Sequence, residues 1–587
     1  MLKEPAAAQR EPKTVRYDTD LVVVGGGLSG TCCAITAARA GIRVVLVTDR
    51  PVLGGNSSSE VRLWVLGATS HMGNNNRWAR EGGVIDELLV ENMYRNPDSN
   101  PLLFDSTLLE KVIDEPNITL LLNTAVFEVE KGASDRRRAV LRSEWVEDAD
   151  GPTTRADQRS APPITKVVGF CSQNSTRYDL TAPLFCDASG DGIVGFLAGA
   201  AFRMGAESSE EFGEKFAPSQ EYGELLGHSM YFYTKDVGRP VRYVAPKFAL
   251  DVTQSVPKFR SFNAQEFGCK LWWIEYGGRL DTVHDTEQIK WELWKVVYGV
   301  WDYIKNSGLF PEASTLTLEW VGTIPGKRES RRFEGDFMLT QHDVVEQRPH
   351  FDDVAFGGWS IDLHPADGVF SEKPGCNQWH SKGIYGIPYR CFYSKNVPNL
   401  FFAGRIISAS HVAFGSSRVM ATGAHGGQAV GMAAKVCLEN NWSPRELAEP
   451  GRVKLLQQEL LKTGQHIPGL RLHDEQDLAQ TARISASSEF VLDELQEDTE
   501  PLPMEFSLGQ LLPLGAGKVP RFIVHPYASA TTELEVELRL CSRPDSYTPD
   551  VLAEALTLPL RPGRNCLSLQ FGTVLEKPAY AFLIFRK

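Results

Sequence analysis

Gly25, Gly27 and Gly30 stand at the spacing G-x-G-x-x-G, directly after the apolar run Leu21–Val24. That spacing can cradle a pyrophosphate. The first glycine permits a tight turn, the second lets backbone amides approach the phosphates, and the third allows close helix packing. The N-terminus of the following helix adds partial positive charge. Two further apolar runs end the same way: Ala182–Cys186 leads into Asp187, Ala188, Ser189, Gly190, Asp191 and Gly192, and Asn399–Ala403 leads into Gly404 and Arg405.

These residues need a particular framework to act together. Leu21–Val24 reads as a strand buried on both faces, Thr31–Ala40 as a helix whose Ala34, Ala37 and Ala38 let it pack closely on a sheet, and Val44–Val47 as the next strand. The three glycine-ended strands are far apart in sequence but share one character, so they are expected side by side in one sheet. The nucleotide domain is then discontinuous, covering 18–205 and 381–440, with a cap or substrate domain inserted at 206–380. Residues 1–17 read as a loose tail, 441–485 as helical, and 486–587, with short alternating runs such as Glu533–Leu540 between turns, as an all-β sandwich.

Composition narrows the classes. The chain has 587 residues, 42% of them hydrophobic, and a net charge of −13 with no concentrated basic stretch, which excludes a nucleic-acid binder. Its ten cysteines show no CxxC pair, so no metal centre is expected, and Cys32 and Cys33 read as small core residues. No apolar run approaches the roughly 20 residues a bilayer requires. The reading is a cytoplasmic protein without membrane association; a homo-oligomer is left open.

Beyond the strand ends, further motifs are DRPVLGGNSSSEVR (49–62), PGKRESRRFEGDF (325–337), IDLHPADG (361–368), GIPYR (386–390) and the Gly/Ala-rich run that closes NLFFAGRIISASHVAFGSSRVMATGAHGGQAVGMAA (399–434). With these in their order, residues 18–440 resemble the FAD-dependent oxidoreductase family within the glutathione-reductase-like flavoproteins. The resemblance implies a Rossmann-like α/β FAD-binding domain and bound FAD, without naming a substrate. It implies cofactor contacts from Gly25, Gly27, Leu28, Ser29, Gly30, Thr48, Asp49, Arg50, Gly54, Gly55, Asn56, Ser57, Arg62, Val126, Ala188, Ser189, Gly190, Gly404, Arg405, Ser417, Arg418 and Val419. It also implies a helix starting in the stretch Gly415–Gly431, its N-terminus toward the flavin. Two positions depart from the wider superfamily. The acid that holds the adenosine ribose falls one residue late, at Asp49, with Thr48 in its place; and Arg405 stands where disulfide reductases carry Asp.

Oxidation of an alcohol requires a base of near-neutral pKa, and histidine is the default. His364 is the first candidate, as base or substrate anchor, because Pro365 places it in a loop. His411 is next, then His71 and His425. Arg328, Arg405 and Arg418 lie in separate motifs that the fold could unite around substrate or flavin, although the run Arg328, Glu329, Arg331, Arg332 also reads as an internally paired face. The insert holds eight of the twelve tryptophans. Trp291, Trp294 and Trp301 fit the buried face of a helix, whereas adjacent Trp272 and Trp273 face different ways on a strand, leaving one for a ligand.

The function expected is hydride transfer between flavin and a hydroxylated, carbohydrate-derived small molecule. The alternatives are a redox-neutral lyase or hydrolase that oxidises transiently, and a non-catalytic carbohydrate-binding protein on the same fold.

Overall fold

The computed structural model describes residues 10–69, 76, 78–132, 161–220, 223–258, 260–265, 270–379, 383–489, 500–542 and 548–587. His71 lies outside these residues. The chain forms two compact units, Met1–His473 and Asp474–Lys587.

The first unit is built on two sheets. Their strands are β1 (Lys13–Asp18), β2 (Leu21–Val24), β3 (Val44–Val47), β4 (Ile118–Leu121), β5 (Ala125–Lys131), β6 (Ile164–Cys171), β7 (Thr176–Thr181), β8 (Leu184–Asp187) and β9 (Leu400–Phe402). The central sheet has the order β9-β8-β2-β3-β4 and is parallel throughout. The three glycine-ended strands, β2, β8 and β9, are therefore neighbours despite separations of more than a hundred residues. Val22, Val23, Phe185, Cys186, Phe401 and Phe402 are all fully buried, as a sheet covered on both faces demands. The second sheet has the order β1-β7-β6-β5. Here the sequence reading fails for part of the N-terminal tail, since β1 pairs in parallel with β7 from Lys13↔Thr176 to Asp18↔Thr181. Alternation in Val15 and Tyr17, each half-buried between exposed neighbours, marks β1 as an edge strand.

Four helices matter for the site: α1 (Leu28–Arg39), α2 (Thr286–Asn306), α3 (His411–Ser417) and α4 (Met420–Asn440). α1 begins at Leu28 rather than Thr31, with Gly27 as its N-cap. It crosses α4 closely along a glycine stripe. A Cβ on Gly423 would meet Ser29 Oγ, one on Gly427 the Ser29 carbonyl, and one on Gly431 the Cys33 carbonyl. The stretch Gly415–Gly431 is not one helix; it breaks at Arg418 and Val419, between α3 and α4.

The insert has its own core around α2, whose Ile289, Leu293, Val296, Val300 and Ile304 recur at helical spacing and are buried. Trp301 joins that core and Trp294 donates Nε1–H to the Gly322 carbonyl, 2.8 Å, but Trp291 is exposed. Trp272 and Trp273 lie in a turn, not a strand. Trp273 is buried and donates to the Ser261 carbonyl, while Trp272 is half-buried. Between 441 and 485 only Pro444–Leu447 and Val453–Lys462 are α-helical, so the helical reading holds for the first half alone.

The second unit is all-β. One antiparallel sheet carries Leu508–Leu514, Ala579–Arg586, Thr532–Leu540 and Val551–Leu560 in that order, with three two-stranded ladders beside it. Val536, Leu538, Leu569 and Phe571 form its core. No helix among the described residues is long and apolar enough to cross a membrane.

Candidate active site

The glycine loop is shaped by contacts that only glycine allows. Gly25 has φ 116°, and a Cβ there would land on the Ala188 carbonyl at the end of β8; one on Gly30 would land on the Gly25 carbonyl. Gly27 is the opposite case, since its Cβ would meet nothing within 4 Å. An open cradle therefore stands at the uncapped N-terminus of α1. The GGN segment closes one side. Gly54 N–H donates to the Gly26 carbonyl (2.8 Å), Gly55 packs on Gly27, and Ser57 folds back on the Gly54 carbonyl.

Ala188, Ser189 and Gly190 form a second side. Buried Asp187 organises them, accepting from Ser189 N–H, Ser189 Oγ and Gly195 N–H at 2.7–3.1 Å. Arg405, next to Gly404, lays its guanidinium against Gly190 and pairs Nη2 with Asp191 Oδ1 at 2.9 Å. Its Nε is buried without a hydrogen-bond partner. Lys327 binds the other Asp191 oxygen. Burial opposes ionisation of Asp191, but the two cations hold its carboxyl well below the usual range. A helix N-terminus, an open glycine cradle and an arginine with a donor to spare suit a pyrophosphate.

At the other end, Thr48 is buried with its side chain against Gly26, while Asp49 is 67% exposed. Thr124 N–H donates to the Thr48 carbonyl, which brings the start of β5, with Val126, beside the end of β3. Arg50 pairs with Glu60 at 3.3 Å. Arg62, with φ 63°, lays its guanidinium over Trp320 (4.3 Å) and Tyr233 (4.7 Å) of the insert.

Residues 325–332 knit the site together. Asn56 Nδ2 donates to the Lys327 carbonyl (2.9 Å) and Ser330 Oγ to the Gly190 carbonyl (3.1 Å). Arg328 pairs with Glu275 at 2.6 Å and donates to Ser229 Oγ. Glu329 points the other way and is wholly buried, accepting from Leu226 N–H (3.0 Å), Arg332 Nε (3.2 Å) and His411 Nδ1 (2.9 Å). Arg332, also wholly buried, reaches Glu207 at 2.8 Å. Arg328 and Arg332 are thus internally paired, while Arg331 donates to the Asp191 carbonyl (2.9 Å) and lies over the Phe196 ring.

His411 opens α3, its backbone N–H on Glu207 Oε2 (2.9 Å). Two turns on, Arg418 donates to Asp362 Oδ2 at 3.2 Å, and Val419 starts α4. His364 follows the strand Ile361–Leu363 packed along α3, with Gly415 close against the Asp362 backbone. Its Nδ1 lies 2.9 Å from Glu275 Oε1 and its Nε2 3.2 Å from Asp362 Oδ2. Burial would lower the imidazole pKa, but the two carboxylates more than reverse it, so it is raised. Both nitrogens face carboxylates at hydrogen-bond distance, so neither is turned to an open space as a base would be. His425 is also excluded as a base. It is buried in α4 among Phe356 and His466 with neither nitrogen bonded, and burial pushes its pKa down to about 3.

A family model described as FAD dependent oxidoreductase matches residues 20–460. The chain belongs to the FAD-dependent oxidoreductase family. FAD is its cofactor, and the cradle residues fit that group. The flavoprotein is 52% identical to the digoxin reductase of Eggerthella lenta over 44 residues, 7% of this chain and 8% of that one, so it spans a small part of that relative. Among solved structures, a geranylgeranyl bacteriochlorophyll reductase-like protein of Thermoplasma acidophilum is similar at 12% identity, covering 77% of this chain and 85% of that one, TM-score 0.31. A p-nitrophenol 4-monooxygenase of Pseudomonas putida is similar at 11% identity, covering 76% and 86%, TM-score 0.32.

The acidic partners were not singled out from sequence. Asp187, Asp191 and Asp362 stand inside quoted motifs without a role assigned to them, and Glu275 is in none. The available signal was each acid's place inside a motif or beside a tryptophan, as in DLHP and WWIEY.

Proposed function

We propose that this flavoprotein oxidises a carbinol of a small hydroxylated molecule, or reduces the corresponding carbonyl, with His411 handling the proton. The observation that carries this reading is the Glu329–His411 pair. A buried carboxylate accepting Nδ1–H fixes the tautomer and leaves the lone pair on Nε2, the arrangement a general base needs. Bound FAD supplies a two-electron acceptor at N5. With FAD bound to take the two electrons of the carbinol C–H bond, His411 Nε2 would accept the O–H proton as the carbonyl forms, and would return it in the reverse direction. Arg332 offsets the glutamate charge and keeps the pair in place.

A carbohydrate-derived substrate is the finer reading. Its supports are Trp272, whose ring stands 5.7 Å from and edge-on to His364, and the all-β C-terminal unit, read as an accessory sandwich. Buried free cysteines, such as Cys32, Cys33 and Cys186, fit a reducing compartment.

Anaerobic mixing of the holoenzyme with a panel of sugars, sugar acids and polyols, read at the flavin absorbance, tests the reading. Lasting bleaching by one class, slowed about 10²- to 10⁴-fold in His411→Asn with FAD retained, supports it. Bleaching at the parent rate in that variant rejects His411 as the base.

A further inference from the structure

Glu81 is a buried acid that lies outside the motifs and that the proton-transfer reading does not use. It is 6% exposed, and its Oε1 accepts both the Ala68 N–H (2.6 Å) and the Thr422 hydroxyl (2.9 Å). Thr422 stands in the first turn of α4, 341 residues further along the chain. That turn has no acid of its own, and its N-cap, Val419, makes no side-chain bond to it. Residues 66–68 cover it instead. Ala421 N–H donates to the Leu66 carbonyl (2.9 Å), and a Cβ on Gly67 would stand 2.5 Å from both Glu81 oxygens and 2.8 Å from the Ala421 methyl.

The same turn touches the cofactor cradle. A Cβ on Gly423, the residue after Thr422, would stand 2.9 Å from Ser29 Oγ and 3.2 Å from Gly404 Cα. One turn of helix thus separates the cradle from a buried carboxylate. Arg80, its neighbour in the chain, pairs with Asp86 at the surface, and its charge reaches Glu81 from there. Tyr385, whose phenol feels the Glu81 charge, bonds to Ser416 Oγ (2.7 Å), and burial pushes its pKa well up. Two hydrogen bonds favour the ionised form of Glu81, burial opposes it, and the balance raises its pKa above the ordinary glutamate value. Its charge is therefore most complete on the alkaline side.

We propose that Glu81 sets the reduction potential of the bound FAD, opposing the positive end of α4 and making the reduced cofactor the stronger hydride donor. It is a positioning residue, acting through the field at the end of α4 and not by contact with reacting atoms. FAD in the cradle has its adenosine at the end of β3; β8 and β9 lie on the opposite side of β2, so the flavin half runs past Gly190 and Gly404 to the first turn of α4. Reduction by two electrons and one proton leaves the cofactor with one more negative charge. A helix N-terminus carries about half a positive charge and favours that anion, and a full negative charge bound to the same turn more than cancels it. Across one helix diameter, about 10 Å, a unit charge inside a protein shifts such an equilibrium roughly tenfold. The inference rests on FAD as the cofactor and not on the carbinol reading.

The test is the midpoint potential of the holoenzyme, without substrate, at about pH 8.5 where the carboxylate is most ionised, read against reference dyes during reductive titration. Glu81→Gln keeps an acceptor for Ala68 and Thr422 and loses the charge. It should favour reduced FAD about tenfold, a rise of about 30 mV for two electrons, with oxidised FAD bound as in the parent. Glu81→Asp, which keeps the charge, should stay closer to the parent. Glu81→Met serves if the glutamine amide, buried without an acceptor, costs the fold. An unchanged or lowered potential in the charge-free variants, an equal rise in Glu81→Asp, or loss of the fold or of FAD from both charge-free variants would each overturn the inference. Because no substrate is present, a failure of His411 as base leaves this outcome unaffected, and the reverse also holds.

Discussion

Nδ1 of His411 stands 2.9 Å from Oε1 of Glu329, a glutamate with no solvent exposure whose other bonds come from Arg332 and the Leu226 amide. One side chain of the arginine-rich motif thus orients the first residue of α3. Removing its charge disturbs two partners at once. Glu329→Gln should leave Arg332 with Glu207 alone and lower stability by about 2–4 kcal/mol, read by denaturant unfolding. It should also slow flavin reduction less than His411→Asn does. A variant as stable as the parent would show that Glu207 suffices for Arg332.

The glycine loop separates two kinds of requirement. Gly30→Ala drives a methyl into the Gly25 carbonyl and should destabilise the fold by about 1–3 kcal/mol or more, with loss of FAD following. Gly27→Ala meets open space at an ordinary φ of −65°, so the melting temperature of the apoprotein should barely change. FAD retention should still fall, because the methyl enters the cradle. Unchanged FAD affinity in Gly27→Ala would move the pyrophosphate elsewhere.

At the end of β3 the two candidate ribose partners differ in burial. Asp49→Ala removes an exposed carboxylate and should weaken FAD retention with little loss of stability, since a bond to a charged group is worth roughly 1.5–3 kcal/mol. Thr48→Ala removes a buried side chain packed on Gly26 and should act mainly on stability. Equilibrium dialysis of FAD alongside thermal melts distinguishes them, and equal FAD loss in both variants rejects Asp49.

His364 links the Glu275 and Asp362 carboxylates to pH. It faces Glu275 and Asp362 directly, with Arg328, Arg418 and Trp272 around it. Its pKa in the fold is above the ordinary 6.5, so the folded chain holds this proton more tightly than the unfolded chain. The stabilisation is full below pH 6.5 and is lost as pH rises through the folded value. His364→Gln should therefore cost most at pH 6 and progressively less at higher pH, measured by unfolding across that range. A penalty independent of pH would mean that His364 is neutral in the fold.

The nucleotide half of this protein was legible because local rules govern it. Leu21–Val24, the glycines after it and the alanine-rich helix form within some 30 residues, where periodicity and turn chemistry suffice. The same rules gave β8 and β9 their shared character and hence their place in one sheet. They gave little for β1, whose short alternation gains meaning only from its partner β7. They also misplaced Trp272 and Trp273, because adjacent aromatic residues do not distinguish a strand from a turn.

Sequence by itself determined the family, the flavin and the motifs from which the site is made. What each ionisable group does was decided by tertiary structure alone. His364 and His411 look alike in sequence, yet one lies between two carboxylates and the other has a single carboxylate on one nitrogen. Each imidazole is oriented by carboxylates a few ångströms away, and those, Glu275 and Glu329, come from segments 89 and 82 residues distant in the chain.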